Sequence, residues 1–228
     1  MSPAEPSREH HIEVPRTARY WTSGTDRPRP TELWFVLHGY RQLARRFLRR
    51  FQGIEAEGRW IVAPEGLSRF YVEHTPGRHG SASVVGATWM TREDRANEIR
   101  DYVRYLDLLA AHMVEEAASR PRVTVLGFSQ GVHTASRWVT HGSVRPARLV
   151  LWGDYLPPDL DMEAAAARFG ELDLEMVHGD ADATLRPDLA AREEERLREW
   201  GIAPRRHRYA GGHDIDPELL ASLAERAP

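Results

Sequence analysis

The stretch of this chain best suited to chemistry is V-T-V-L-G-F-S-Q-G-V-H, Val123 to His133, where Ser129 stands between Gly127 and Gly131. Apolar residues run to Leu126 and a helical pattern starts at Gln130, so the spacing puts the serine on a strand–turn–helix. A serine held up on such a turn has a strained backbone. Side chains two residues before and two after it would collide with the neighbouring strand and helix, which is why glycine is needed at both places. The first amides of the following helix point at the same spot, so the Gln130 N–H can donate to an oxyanion. An incidental turn serine also fits these five residues, and the rest of the chain has to decide.

A serine nucleophile needs a base. The chain has 11 histidines, so the presence of one carries no weight. With the acid and then the histidine following the serine in chain order, the candidates are His141, His178, His207 and His213. His207 falls inside an expected strand, and His178 ends one, just before Gly179. His213, in Y-A-G-G-H-D-I-D, sits in a Gly-rich loop after the last strand, where its ring can reach over the serine. For the acid, Asp180 and Asp182 follow one strand in H-G-D-A-D-A-T-L and Asp154 follows L-V-L-W. All three stand at carboxyl ends of strands, where ligands collect in open α/β sheets, and each is also a plausible turn former or helix cap.

Upstream, L-W-F-V-L-H-G-Y-R-Q puts His38 and Gly39 at the end of an apolar strand. Gly39 lets the backbone pass close to a substrate, and the next amide, Tyr40 N–H, is a second candidate oxyanion donor. His38 is expected to orient or pack rather than to ligate a metal or act as a second base. Arg41 has two readings: its guanidinium attracts an anionic substrate group at the rim of the acyl site, or it points to solvent beside Arg45, Arg46, Arg49 and Arg50. Phe70, Trp89 and Met90 are candidates to line the acyl pocket, against the alternative that they are core.

The elements that must hold these residues alternate. Strand-like runs fall near Ile12–Trp21, Leu33–His38, Trp60–Ala63, Val123–Gly127, Leu149–Trp152, Leu172–Val177 and Arg206–Tyr209. Helical spacing covers Gln42–Phe51, the segment after Glu93 through Met113, Gln130–Thr140, Pro187–Trp200 and Pro217–Glu225. Strands alternating with helices imply an α/β fold with a mostly parallel sheet covered on both faces. Residues 1–9 read as a frayed tail and 10–228 as one domain. The Gly-, Ser- and His-rich segment Glu65–Arg92 carries little periodicity and is expected to be a functional loop or lid.

Composition removes several function classes. There is no cysteine, and all 31 Lys+Arg residues are arginine, so thiolate chemistry, disulfides, Schiff bases and a P-loop lysine are excluded. The formal net charge is −3 with both signs interleaved, and R-R-H-R (Arg205 to Arg208) is a small basic run, so no nucleic-acid partner is implied. The polar start M-S-P-A-E-P-S-R-E-H-H lacks a secretory apolar region and no run approaches a membrane span, which together predict a cytoplasmic protein.

Seven separated segments, LHGY (37–40), APEGLSRFY (63–71), GATWMTRED (86–94), GFSQG (127–131), LPPD (156–159), HGDAD (178–182) and GGHDI (211–215), resemble the phospholipase/carboxylesterase branch of the α/β-hydrolases, which includes acyl-protein thioesterases. The resemblance implies an α/β-hydrolase fold with no large cap domain and a broad, open site. It also implies cofactor-independent cleavage of a small-molecule ester or thioester, with no metal and with oligomeric state open, a homodimer included. The family's acid lies in an H-G-x-x-D motif, which maps onto Asp182 rather than Asp180 or Asp154; its nucleophile maps onto Ser129 and its base onto His213. Two positions depart from the family: Arg41 stands where relatives tend to carry glycine, and Asp154 stands where they carry a small residue, placing a carboxylate near the pocket mouth. Rival readings are an acyltransferase using the same residues, a catalytically silent binding module, and a metal-binding protein using His10, His11 and Glu13.

Overall fold

The computed structural model describes residues 7–26, 29–72, 80–117 and 120–226. The expected tail falls mostly on residues 1–6, outside the described residues, and 7–19 form no regular element. Nine strands follow: β1 (Tyr20–Ser23), β2 (Glu32–Leu37), β3 (Arg59–Pro64), β4 (Ser68–Tyr71), β5 (Val85–Thr88), β6 (Arg122–Phe128), β7 (Arg148–Trp152), β8 (Asp173–Gly179) and β9 (Arg205–Tyr209). The helices are α1 (Ala44–Leu48), α2 (Arg95–Glu115), α3 (Gln130–His141), α4 (Met162–Phe169), α5 (Pro187–Glu199) and α6 (Pro217–Glu225), with a 3₁₀ turn at Arg49–Ile54.

Seven strands form one sheet in the order β1-β3-β2-β6-β7-β8-β9, parallel except for β1, which runs antiparallel to β3. The chain winds outward in one direction from β2 and in the other from β6. The carboxyl ends of these two neighbours are therefore the switch point at which such sheets bind ligands. Alternate strand residues feed two cores. Leu33, Phe35, Leu37, Val125, Leu149, Leu151 and Met176 face α2, α3, α4 and α5, while Trp34, Val36, Leu126, Val150, Trp152 and Val177 face α1, the 3₁₀ turn and α6. Burial on both sides is why these strands read as unbroken apolar runs.

Four elements differ from the sequence expectation. The helix expected over Gln42–Phe51 is split into the short α1 and the 3₁₀ turn Arg49–Ile54. The run Ile12–Trp21 yields a strand only from Tyr20, because no neighbour covers its start: Ile12 is 86% and Val14 71% exposed. The segment Glu65–Arg92 holds the antiparallel hairpin β4–β5, with residues 73–79 lying outside the described ones. The helix α4 has no counterpart in the periodicity, since its two turns are dominated by alanine; it begins where the Asp161 carboxylate accepts the Ala164 N–H at 3.0 Å.

Arginines close the end of the sheet opposite the switch point. Arg148, on β7, donates to the Leu223 and Arg226 carbonyls at 2.6 and 3.0 Å, and Arg59 donates to the Ala224 carbonyl at 2.8 Å, so the last carbonyls of α6 are satisfied by side chains. Behind Arg148 lies the fully buried Glu175, 3.3 Å from its Nε and 2.6 Å from His207 Nε2. Removing the arginine strands a buried carboxylate. Arg148→Ala should therefore cost about 3–5 kcal/mol in a urea titration, whereas truncating an exposed arginine such as Arg46 should change stability by less than about 0.5 kcal/mol.

Candidate active site

The end of β6 delivers Ser129 with φ 54° and ψ −120°, a conformation that L-residues avoid. Two close approaches hold it there. A Cβ on Gly127 would lie 2.2 Å from the Gly131 carbonyl oxygen, and one on Gly131 would lie 2.2 Å from the Leu37 carbonyl oxygen. The start of α3 thus presses on the end of β2, as the sequence spacing predicts. The Ser129 N–H donates to the Trp152 carbonyl at 2.9 Å, tying the turn to β7 as well.

Across the turn, a Cβ on Gly39 would stand 3.2 Å from the Ser129 Cβ, so the loop after β2 lies directly against the serine. The Gly39 N–H is taken by Gln42 Oε1 at 2.9 Å. Neither the Tyr40 N–H nor the Gln130 N–H makes a hydrogen bond to another group among the described residues. Two free amides flanking a raised serine are what an oxyanion requires. The loop is braced from outside by the hairpin: Arg41 N–H donates to Ala87 O at 3.0 Å, Ala87 N–H to Gln42 O at 3.2 Å, and a Cβ on Gly86 would meet the Arg41 carbonyl oxygen at 2.5 Å. Arg41 itself is left-handed, with φ 67°, and its side chain is exposed.

His38 is fully buried, and burial pushes its pKa down to about 4. Its neutral ring donates from Nδ1 to the Gly39 carbonyl at 2.8 Å and accepts the Gly66 N–H on Nε2 at 3.0 Å, which fixes the tautomer. It stacks on Trp89, whose indole N–H returns to the His38 carbonyl at 2.8 Å. The Gln130 side chain accepts the Trp89 N–H at 3.1 Å and donates to the Met90 carbonyl at 3.0 Å. Trp89 and Met90 are both buried in the larger core, while Phe70 is half-buried against the exposed Tyr40, ring centroids 5.3 Å apart.

Of the four downstream histidines, His213 alone meets a carboxylate at the same edge of the sheet as Ser129. Its Nδ1 is 2.7 Å from Asp182 Oδ2, and its ring packs on Phe128, the residue before Ser129, at 4.9 Å between centroids. Gly153 passes beneath it, since a Cβ there would lie 3.3 Å from His213 Cε1. Burial works against the Asp182 carboxylate, but hydrogen bonds from Thr184 and His213 outweigh it and hold its pKa below the usual carboxylate value. Thr184 supplies its N–H at 2.9 Å and its hydroxyl at 2.6 Å to Asp182 Oδ1. The T two places after Asp182 in D-A-T was the available signal for this partner. No hydrogen bond to the Ser129 hydroxyl is formed among the described residues; such contacts are often long in free enzymes and tighten with substrate.

The other candidates go elsewhere. Asp180 is exposed and pairs with Arg208 at 2.6 Å. His207 is bound to Glu175, and His178 Nε2 lies 3.3 Å from the Asp154 carbonyl oxygen. Glu13 pairs with Arg104 at 3.5 Å, apart from His11, which is exposed between Glu9 and Asp94. Asp154, at the end of β7, has its Oδ2 3.5 Å from His133 Nε2. That contact is no ion pair: burial, reinforced by Arg137 and Arg95, pushes His133 down to about 4, so its ring is neutral. A cavity of about 480 Å³ runs along the outer face of α2, from Ala96 to Leu108, and none of Ser129, Asp182 or His213 lines it.

Known proteins give the architecture its name. No family model and no curated protein matches the chain. Among solved structures it is similar to a carboxylesterase from Mesorhizobium loti, at 18% identity and TM-score 0.66 over 92% of this chain and 95% of that one. It is likewise similar to Zea mays acyl-protein thioesterase 2, at 15% identity and TM-score 0.64 over 92% and 97%. A third is esterase PE8, at 19% and 0.63 over 91% and 95%. The fold is that of the α/β-hydrolases, and the described residues form no large cap.

Asp154 generates a test of the site's electrostatics. Burial raises its pKa to about 6, above the unfolded value, so the folded protein holds the proton more tightly and ionisation costs stability above that pH. Asp154→Asn should raise stability at pH 8 by about 1–2 kcal/mol, a figure discounted for partial exposure. The gain should shrink as pH falls below 6 and vanish near pH 3, below both the folded and the unfolded pKa, where both carboxyls are protonated. Chemical denaturation of both proteins at pH 3 and 8 checks this.

Proposed function

We propose that this chain is a serine hydrolase of carboxylic esters or thioesters, working through an acyl-enzyme on Ser129. The observation that carries the reading is the Asp182–His213 pair, 2.7 Å apart, standing beside a serine in a strained turn with two unbonded amides. The likeness to esterases and to a thioesterase supports the same class.

In this mechanism His213 Nε2 takes the proton of the Ser129 hydroxyl as the oxygen attacks the acyl carbonyl. Asp182 accepts the His213 Nδ1–H, holding the ring in the tautomer that leaves Nε2 free and stabilising the imidazolium. Thr184 keeps that carboxylate turned toward the ring. The developing oxyanion takes the Tyr40 and Gln130 amide protons. His213 returns its proton to the leaving alcohol or thiol, then takes a proton from a water that attacks the acyl carbon and passes it to Ser129 Oγ as the Ser129–acyl bond breaks and the acid leaves. Water completes the cycle, and the residues named here perform every step without a metal or organic cofactor.

Two measurements test it. Ser129→Ala should abolish labelling by a fluorophosphonate, read by mass spectrometry, and lower kcat on a short-chain 4-nitrophenyl ester by more than about three orders of magnitude. Labelling at another serine overturns the assignment. Asp182→Asn should cost on the order of 10⁴ in kcat and Asp180→Asn far less; equal losses would remove Asp182 from its role.

A further inference from the structure

Beside the His213 end of the site stands a carboxylate for which the proposed hydrolysis has no use. Asp154 follows Gly153 at the carboxyl end of β7, and Gly153 is in contact with the His213 ring. Its Oδ1 accepts the Tyr155 N–H at 2.8 Å, and Oδ2 has no hydrogen bond among the described residues. The Asp154 side chain is 33% exposed and that of His133 24%, so both are open to a ligand. His133 lies one helical turn beyond Ser129 along α3, on the same face of the helix.

The groups facing Asp154 do not neutralise it. From α3 comes His133, whose ring is uncharged. From β8 comes His178, whose Nε2 lies 3.3 Å from the Asp154 carbonyl oxygen and whose pKa burial lowers, and from the loops after β8 and β9 come Asp182 and His213, already paired with each other. From α5 comes Glu193, another acid, which accepts the Leu156 N–H at 2.7 Å and lies 3.8 Å from Arg196. Arg95 and Arg137, whose charges reach His133, are both bound to Asp159, at 3.0 and 2.5 Å. The site therefore presents a partly exposed carboxylate oxygen with no cation bound to it among the described residues.

Resting on the reading of Ser129 as the nucleophile, we propose that Asp154 selects substrates that carry a cationic hydrogen-bond donor, an ammonium on the acyl or alcohol part of the ester. The ammonium takes the free Oδ2, with the neutral His133 ring beside it. The preference follows the charge of Asp154, whose pKa of about 6 puts its loss just below neutrality.

The test uses esters of equal length whose acyl chain, or in a second series whose alcohol chain, ends in ammonium, methyl or carboxylate. In one of the two series the ammonium ester should exceed the methyl ester in kcat/KM by about tenfold, roughly 1.4 kcal/mol. That ratio should fall to near one in Asp154→Asn, in the wild type at pH 5, and in high salt. The same ratio in Asp154→Asn as in the wild type, or a preference for the carboxylate ester, overturns the proposal. A binding measurement separates this from failure of the hydrolytic reading. Hexylammonium should bind Ser129→Ala in calorimetry more tightly than hexanol, and the difference should disappear in Ser129→Ala/Asp154→Asn. Such binding upholds the cation site even if no ester is turned over; equal binding by the single and double variants overturns it.

Discussion

The first turn of α3 lies so close to the end of β2 that the Leu37 carbonyl oxygen leaves no room for a side chain at Gly131. Most of the site depends on this contact. It forces the chain leaving β6 to reverse within one residue, which puts Ser129 at φ 54° and raises its hydroxyl above the sheet. A backbone in such a region costs about 1–3 kcal/mol and persists only where its surroundings over-determine it. Here they do: Gly127 lies against Gly131, the Ser129 amide is bound to β7, and the fully buried Val132, Ala135 and Trp138 anchor the helix in the larger core.

The same contact sets the requirements of the loop after β2. Gly39 has to pass 3.2 Å from the serine β-carbon by the measure of its missing side chain, so nothing bulky can hold the loop from inside. It is held from behind. Neutral His38 joins the Gly39 carbonyl to the Gly66 amide, and β5 forms hydrogen bonds with Arg41 and Gln42. Glu65, with a fully buried side chain, accepts the Ala44 N–H at the start of α1 at 3.2 Å while Arg19 and Arg69 neutralise it. Burying polar groups this deeply is tolerable because each has its partner. The result is a rigid frame in which the Tyr40 and Gln130 amides have no internal acceptor.

The central strands and the glycines around Ser129 were legible because each answers to a local rule: a two-sided apolar run for the former, a steric exclusion for the latter. The hairpin was not. Its strands are four residues each, with glycine and serine in them, and they exist to pair with each other and with Arg41 and Gln42, partners some 45 residues away in sequence. The choice among Asp154, Asp180 and Asp182 was likewise beyond residue types. All three follow strands, and only packing sends one to His213, one to Arg208 and one beside His133. Thr184 was signalled only by its place two residues after Asp182, and His133 carried no signal at all, since its neighbour Asp154 reaches it only after folding.

The histidine and the aspartate hang from the two outermost strands on one side of the sheet, and β9 is the rim itself. Its sequence R-R-H-R-Y is mostly solvated, with arginines whose charge discourages another chain from adding to the edge. A border so thinly covered opens more readily than the interior strands that carry the serine. Under the proposed function, warming should disturb the His213–Asp182 pair while the tryptophan-rich centre is still intact, and the temperature limit of activity would belong to the periphery and not to the melting point.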